Sequence, residues 1–156
     1  MSFRSIVSPF RVGVRRPRPA DYDGMAELAG QLGYPCTEKD VRSRVSAMRE
    51  GSRYAIYVAT LDGEQIAGWI GAYVFISVET DPCVEVNGLI VRENLRSHGI
   101  GRLLLGAVEA WAERIGSKVV SVRSNVVRCD AHRFYRNNGY QMVKTQRTFQ
   151  KVLRAE

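Results

Sequence analysis

Residues 84–116 leave this chain few ways to fold. They begin with Val84-Glu85-Val86-Asn87-Gly88-Leu89-Ile90-Val91, a short run rich in Val, Leu and Ile that predicts a strand. They end in a helical pattern. Ile100, Leu103, Leu104, Ala107, Val108, Trp111 and Ile115 recur at i, i+3, i+4, i+7, i+8, i+11 and i+15, so they share one face, and Gly116 supplies a stop. Between the two lies Arg96-Ser97-His98-Gly99-Ile100-Gly101. Its glycines let the backbone turn tightly and let a ligand reach the N–H groups. The new helix leaves its first N–H groups unpaired at the positive end of its dipole. Strand, glycine turn and helix start therefore make an anion site suited to phosphate or pyrophosphate. Arg96, His98 and Arg102 ring it with further donors. Two other phosphate motifs fit worse: G-x-x-x-x-G-K-[ST] is absent, and the dinucleotide fingerprint needs glycine at 104, which is Leu. By itself the G-x-G also suits a plain strand–helix turn with solvated arginines.

The pattern R-x-x-G-x-G after a strand ending L-x-V resembles the signature of the GNAT superfamily of N-acetyltransferases, whose loop holds the pyrophosphate of acetyl-coenzyme A. A second segment agrees with it. Ser124-Asn125 is followed by Ala131-His132-Arg133-Phe134-Tyr135-Arg136-Asn137-Asn138-Gly139-Tyr140, similar to the family's A-x-x-F-Y-x-x-x-G-Y/F. The two segments stand in the family's order and spacing, and the resemblance runs over about residues 10–153. It implies a single-domain α/β GNAT fold: a mixed central sheet of about seven strands, flanking helices, and two central strands splayed into a V. The domain would occupy 10–154 behind a flexible tail, 1–9.

The resemblance also implies site residues. Acetyl-coenzyme A would be the co-substrate, with no metal. Leu89, Ile90 and Val91 would meet its pantetheine arm through the backbone. Arg96, Ser97, His98, Gly99, Ile100, Gly101 and Arg102 would hold the pyrophosphate. Asn125 and Arg128 would flank the arm. Glu85 would take the amine proton through water, and Tyr135 would protonate the departing thiolate. Many relatives carry an acid where this chain has Asn87 or Gly88, so a water held near Asn87 is the alternative to Glu85. The residues themselves add two points. Gly88 is a natural bulge site that would free backbone groups near Leu89 for a ligand with amides. No Cys or Ser beside a base marks a covalent nucleophile, so direct transfer is the simpler chemistry.

The remaining composition bounds the problem. The 156 residues suit one domain, and 45% hydrophobic content supports a real core. No apolar run reaches the length of a membrane span, and no signal-peptide core precedes the first strand. Residues 1–18 are Arg-rich and lack acids, a faint likeness to a transit peptide, but a short tail is the simpler reading. The odd trio Cys36, Cys83 and Cys129 has no C-x-x-C spacing, which suggests free thiols in a reducing, cytoplasmic compartment. Cys129 and His132 could share a helix face, but no further ligand pair is near for a metal. The formal charge of +7 attracts polyanions, yet the arginines are scattered and no aromatic–basic interleaving marks a nucleic-acid platform. A polyanionic coenzyme accounts for only a few of those charges.

In chain order, 10–14 reads as a strand. A helix follows from about Asp21, its expected cap, to Leu32, and Gly33-Tyr34-Pro35 breaks it. Thr37 and Asp40 form a capping-box-like start for a second helix, to about Met48. The loop with Tyr34 and Cys36 would border the acceptor site, as such loops do in the family. Strands over 54–60 and 66–78 join through Asp62-Gly63. Trp69, Tyr73 and Phe75 share one parity, an aromatic stripe that reads first as core and second as pocket lining. After Gly116 come a strand over 118–124, a helix over 130–138 capped by Asp130, and a last hairpin of 140–144 with 149–153. The order mixes hairpins with strand–helix–strand crossovers, hence α/β with a mixed sheet.

Two function classes remain open. One is acetylation of a primary amine of a small molecule, with a protein N-terminus or lysine as the rival acceptor. The other is a non-enzymatic coenzyme A or nucleic-acid binding module on the same scaffold. Glu79, Asp81 and Glu85 could serve a cationic acceptor. Nucleic acid and membrane are the less favoured partners, and a homodimer is compatible with the sequence.

Overall fold

The computed structural model describes residues 3–7, 10–49 and 53–154. The chain forms two compact units, Met1–Arg123 and Ser124–Glu156. The first holds β1 (Phe3–Val7), β2 (Phe10–Arg15), α1 (Tyr22–Leu32), α2 (Glu38–Arg49), β3 (Tyr54–Leu61), β4 (Gln65–Phe75), β5 (Cys83–Val91), α3 (Ile100–Arg114) and β6 (Val120–Val122). Its sheet has six strands in the order β1-β2-β3-β4-β5-β6. All neighbours run antiparallel except β5 and β6, which are parallel and joined across α3. Among the described residues, no helix is long and apolar enough to cross a membrane.

Side-chain alternation along β4 separates the two faces of the sheet. At Gly68 a Cβ would lie 3.2 Å from Leu104 Cδ1, on the α3 side. Trp69, the next residue, donates its indole N–H to Met25 O of α1 at 3.2 Å, on the opposite side. The α3 face buries Ile100, Leu104, Leu105, Ala107, Val108, Trp111 and Ala112. This stripe is wider than the expected one. Leu105 and Ala112 join it, Leu103 is only half-buried, and Ile115 is exposed at the helix end. Helices covering a twisted sheet need such a broad face, and each fully buried Leu or Ile contributes about 1.5–3 kcal/mol. Gly116 takes a φ of 81°, and Ser117 N–H reaches back to Ala112 O at 2.9 Å, closing the helix as expected. On the other face, Tyr22, Met25, Ala26 and Leu28 of α1 and Val41 and Val45 of α2 pack against Ile56, Val58, Ile66 and Ile90.

The start of α2 is the reciprocal cap read from Thr37 and Asp40. Asp40 N–H donates to Thr37 Oγ1 at 3.2 Å, and Thr37 N–H donates to Asp40 Oδ2 at 2.8 Å. Asp21 differs from expectation. It makes no side-chain cap on α1; its carboxylate accepts Arg18 N–H at 2.6 Å and pairs with Arg15 at 2.6 Å. A 3₁₀ turn, Pro19–Asp21, precedes the helix and takes that carboxylate for its own start.

Three other expectations are corrected. Phe3–Val7, within the stretch read as a tail, pairs with β2 from Phe3↔Val14 to Val7↔Phe10. β6 spans only Val120–Val122, not 118–124. The closing hairpin over 140–144 and 149–153 does not form, and Met142, Val143, Phe149, Val152 and Leu153 are exposed. Its connecting residues, Thr145-Gln146-Arg147-Thr148, hold no Gly or Asn for a tight turn, and an isolated two-stranded hairpin is marginal in water. The sheet is thus six-stranded instead of seven: one strand gained at the front, two lost at the end.

The second unit contains α4 (Cys129–Asn137). Asp130 lies in its first turn but does not cap it; Arg128 holds the N-cap position. Ahead of it, Asn125 Oδ1 accepts Val127 N–H at 3.1 Å, and Asn125 O accepts Arg128 N–H at 3.0 Å. Gly139, at a φ of 88°, ends the helix as expected.

Candidate active site

The site begins with a bulge in β5. Gly71 pairs with Gly88 and Ala72 with Val86, so Asn87 is the extra residue, one position earlier than the expected Gly88. A regular strand would put Glu85 and Ile90 on opposite faces, since they are an odd number of residues apart. The bulge brings both to the α1–α2 face. Ile90 then serves the core, while Glu85 lies beside Tyr73, its cross-strand partner.

The ladder also decides which backbone groups are free. Arg92 N–H donates to Ala67 O at 2.7 Å. In an antiparallel ladder such pairs alternate, so Ile90 and Gly88 also turn their N–H and C=O toward β4. Consistent with this, Ile90 O lies 2.6 Å from where a Gly68 Cβ would be. Leu89 and Val91 point the other way, toward the β6 side. There the β5–β6 ladder stops at Val86↔Val122. Val91 O is taken by Gln31 Nε2 at 3.0 Å, and Gln31 Oε1 accepts Glu93 N–H at 3.1 Å, so this side chain stands in for a strand neighbour. Leu89 N–H, Leu89 C=O and Val91 N–H are the groups beyond the ladder. Ile90, expected among the backbone contacts, is occupied on both counts: its backbone faces β4 and its side chain is core.

From Val91 the chain passes through a 3₁₀ turn, Glu93–Leu95, into the expected anion loop. Arg96, Ser97, His98 and Gly99 are all exposed. Ser97 has a φ of 65° and Gly99 a φ of 79°. The left-handed turn at Gly99 is what glycine permits at little cost, and it sets the start of α3. No side chain caps that start, and the first bond inside the helix runs from Leu103 N–H to Gly99 O at 3.1 Å. The N–H groups of Ile100, Gly101 and Arg102 precede it and have no partner within the helix. His98 Nδ1 lies 2.7 Å from Arg96 O. A carbonyl only accepts, so Nδ1 carries the hydrogen.

Glu85 is buried, with 9% of its side chain exposed, and it has partners that sequence reading missed. Its Oε1 accepts the Tyr73 hydroxyl at 2.8 Å and lies 3.0 Å from Arg123 Nε. Burial first, and then the Glu85 bond, pushes the Tyr73 hydroxyl above its ordinary pKa, so it remains a donor. Burial and the nearby Glu85 charge push the Cys83 thiol up as well. Only the hairpin register brings Tyr73 opposite Glu85, and only the parallel crossover brings in Arg123.

A cavity of about 340 Å³ opens on the same face, between α1, α2 and the sheet. Trp69 lines it, so the aromatic stripe contributes to the pocket through this residue. Tyr34 and Cys36 lie in its wall, where the loop was expected to border an acceptor, and Asn87 and Gly88 bring the bulge to it. Among the described residues, no group of three or more His, Cys, Asp or Glu side chains comes together to hold a metal ion.

Asn125, Arg128 and Tyr135 belong to the second unit. Tyr135 packs edge-on against Phe134, with centroids 5.2 Å apart, and against Tyr140 at 5.9 Å. Burial pushes its hydroxyl above the ordinary tyrosine pKa, only partly offset by Arg128. His132 Nε2 donates to Asn125 O at 2.9 Å, which ties the helix to the segment before it.

Residues 23–140 match the sequence profile described as the acetyltransferase (GNAT) family. An uncharacterized N-acetyltransferase of Bacillus subtilis, YhdJ, is 30% identical over 102 residues, 64% of this chain and 71% of that one. An aminoglycoside N(6')-acetyltransferase type 1 of Stenotrophomonas maltophilia is 25% identical over 133 residues, 82% of this chain and 85% of that one. Among solved structures, the aminoglycoside N-acetyltransferase AAC(6')-Iy in complex with CoA superposes with a TM-score of 0.81 at 15% identity, covering 94% of this chain and 99% of that one.

Proposed function

Since the chain belongs to the acetyltransferase (GNAT) family, we propose that it moves an acetyl group from acetyl-coenzyme A directly to the primary amine of a small molecule. One observation carries the reading. An unladdered strand edge at Leu89 and Val91 runs through a short exposed loop into the uncapped start of α3. That edge suits the amides of a pantetheine arm, and the helix start suits a pyrophosphate. Arg96 and Arg102 add charge there. The co-substrate supplies an activated acyl group on a thiol leaving group.

The chain's own groups do the rest. Leu89 N–H turns away from β4 and is the proposed donor to the oxyanion that forms when the amine attacks. Glu85 takes the proton of the amine through water. Its two donors share Oε1, which fixes the carboxylate and leaves Oε2 to face that water. Tyr135 is the proposed proton donor to the thiolate, on the strength of the match over Ala131, Phe134, Tyr135, Gly139 and Tyr140. Burial keeps its hydroxyl protonated at neutral pH. The Stenotrophomonas maltophilia relative, named for aminoglycosides, supports a small-molecule acceptor.

A thiol-release assay with acetyl-coenzyme A and a panel of amines tests the activity. Gly101→Asp tests the coenzyme site, because it puts a carboxylate at the start of α3. Calorimetry should show coenzyme affinity down by about tenfold or more, roughly 1.4 kcal/mol. Unchanged affinity in the folded variant rejects the loop as the pyrophosphate site.

A further inference from the structure

We infer that the acceptor is an amine with an apolar body and a carboxylate, such as an apolar amino acid, and not a polycation. This rests on the acetyl-transfer reading for what happens to the amine, but not for what the cavity binds.

The lining of the cavity carries the inference. Its walls are the apolar side chains of α1 and α2, Met25, Leu32, Val41 and Met48 among them, closed by Ile56 and Trp69 of the sheet. Tyr34, 71% exposed, adds an aromatic surface in contact with water. No Asp or Glu lines the cavity. Arg44 is its one charged lining residue. Among the described residues no carboxylate lies within 4 Å of Arg44. Asp40, one turn earlier and influenced by the Arg44 charge, already accepts the Thr37 N–H and hydroxyl at 2.8 and 2.9 Å. Arg44 therefore has donors to spare, in the forked geometry that suits a carboxylate.

The charge does not fit a polycation. About 340 Å³ is room for a small molecule. A multiply charged amine would bury ammonium groups against Trp69, Met25 and Ile56 without a counter-charge, and would meet Arg44 as a like charge. The carboxylates that could have served such an acceptor are not free to pair with it in the cavity. Glu85 is bound to Tyr73 and Arg123, and neither Glu79 nor Asp81 lines the cavity.

Two measurements on the full chain test this. In the first, coenzyme A release is followed with L-phenylalanine, L-leucine, their carboxamides, neamine and spermine. The free acids should exceed both the carboxamides and the polycations in kcat/KM by about tenfold or more, the size of a useful charge contact. The carboxamides have the more easily deprotonated amines, so chemistry alone would favour them. Arg44→Glu should erase the preference and Arg44→Lys should retain it. In the second, N-acetyl-L-phenylalanine or its amide is added and alkylation of Cys36, in the cavity wall, is read by mass spectrometry. The acid should protect Cys36 and the amide should not. Higher turnover of neamine or spermine, or an acid preference that survives Arg44→Glu, overturns the inference while the acetyl-transfer reading stands. Protection without turnover of any amine upholds the inference and removes that reading. If the acids are not turned over and Cys36 is not protected, the inference is overturned.

Discussion

Glu85 shows how much one side chain depends on its neighbours. Its carboxylate is anchored through one oxygen by a hydroxyl and a guanidinium, so its direction is set before any ligand arrives. As the proposed base, it should matter most where the amine is largely protonated. Glu85→Gln should lower turnover by about a hundredfold near neutral pH, with the deficit shrinking as the solution becomes alkaline and frees the amine unaided. The check is a pH–rate profile of both proteins; superimposable profiles would pass the role to water near Asn87. Tyr135 allows a cleaner separation. Tyr135→Phe keeps the ring contacts with Phe134 and Tyr140. If the hydroxyl protonates the thiolate, kcat should fall roughly ten- to a hundredfold while coenzyme affinity holds, because that bond forms mainly in the transition state. Wild-type kcat, with chemistry shown to limit the rate, leaves Tyr135 as a packing residue.

At the scale of elements, β4 and β5 form the hinge between core and site. Their ladder holds the bulge at Asn87, and their contact with α3 depends on Gly68. A Cβ at Gly68 would lie 2.6 Å from Ile90 O and 3.3 Å from Val91 Cα, against backbone that cannot rotate aside. Gly68→Ala should therefore destabilise the fold by about 2–3 kcal/mol, the upper part of the overpacking range. Urea denaturation measures this, and a loss under about 0.5 kcal/mol would mean the two strands can part at no great cost. If the strands do shift, the Leu89 edge moves with them, so coenzyme affinity should drop in the same variant.

For the molecule as a whole, the pair Arg15–Asp21 couples the start of α1 to β2 and makes stability depend on pH. Burial alone would raise the Asp21 carboxyl, but the Arg15 contact and the Arg18 N–H bond outweigh it and hold it below the usual carboxylate range. A carboxyl depressed in the folded state adds stability that is complete above its unfolded value near 4 and is lost as pH falls through the lower folded value. The acid limb of a stability curve should thus steepen below about pH 4, and Asp21→Asn should flatten it. The substitution should also cost about 3 kcal/mol at neutral pH, the low end for a broken buried pair because 22% of the Arg15 side chain remains exposed. Chemical denaturation at several pH values decides it; parallel acid limbs would mean Asp21 contributes no pH dependence.

Local chemistry was legible in the sequence wherever neighbours along the chain decide the outcome. The turn at Gly99, the stop at Gly116 and the reciprocal cap of Thr37 and Asp40 depend on backbone conformation within a few residues, and each formed as the residues imply. The strand–turn–helix unit of residues 84–116 depends on period and glycine placement, and it too was readable. Partners far apart in sequence were not. Tyr73 meets Glu85 only because a hairpin register and a bulge put them opposite each other. Gln31 meets Val91 O only because α1 is laid across the sheet. The loss of the last hairpin and the gain of Phe3–Val7 follow the same division. β-propensity marks a segment that can pair, but a strand is stable only where another strand offers its ladder and a face to bury. The sequence by itself determined the glycine turn and the helix that begins there. Only the tertiary structure decided which backbone groups of β5 lie beyond the ladder, what holds Glu85, and that the cavity beside the bulge is apolar with Arg44 as its charge, because each of these is set by packing between elements distant along the chain.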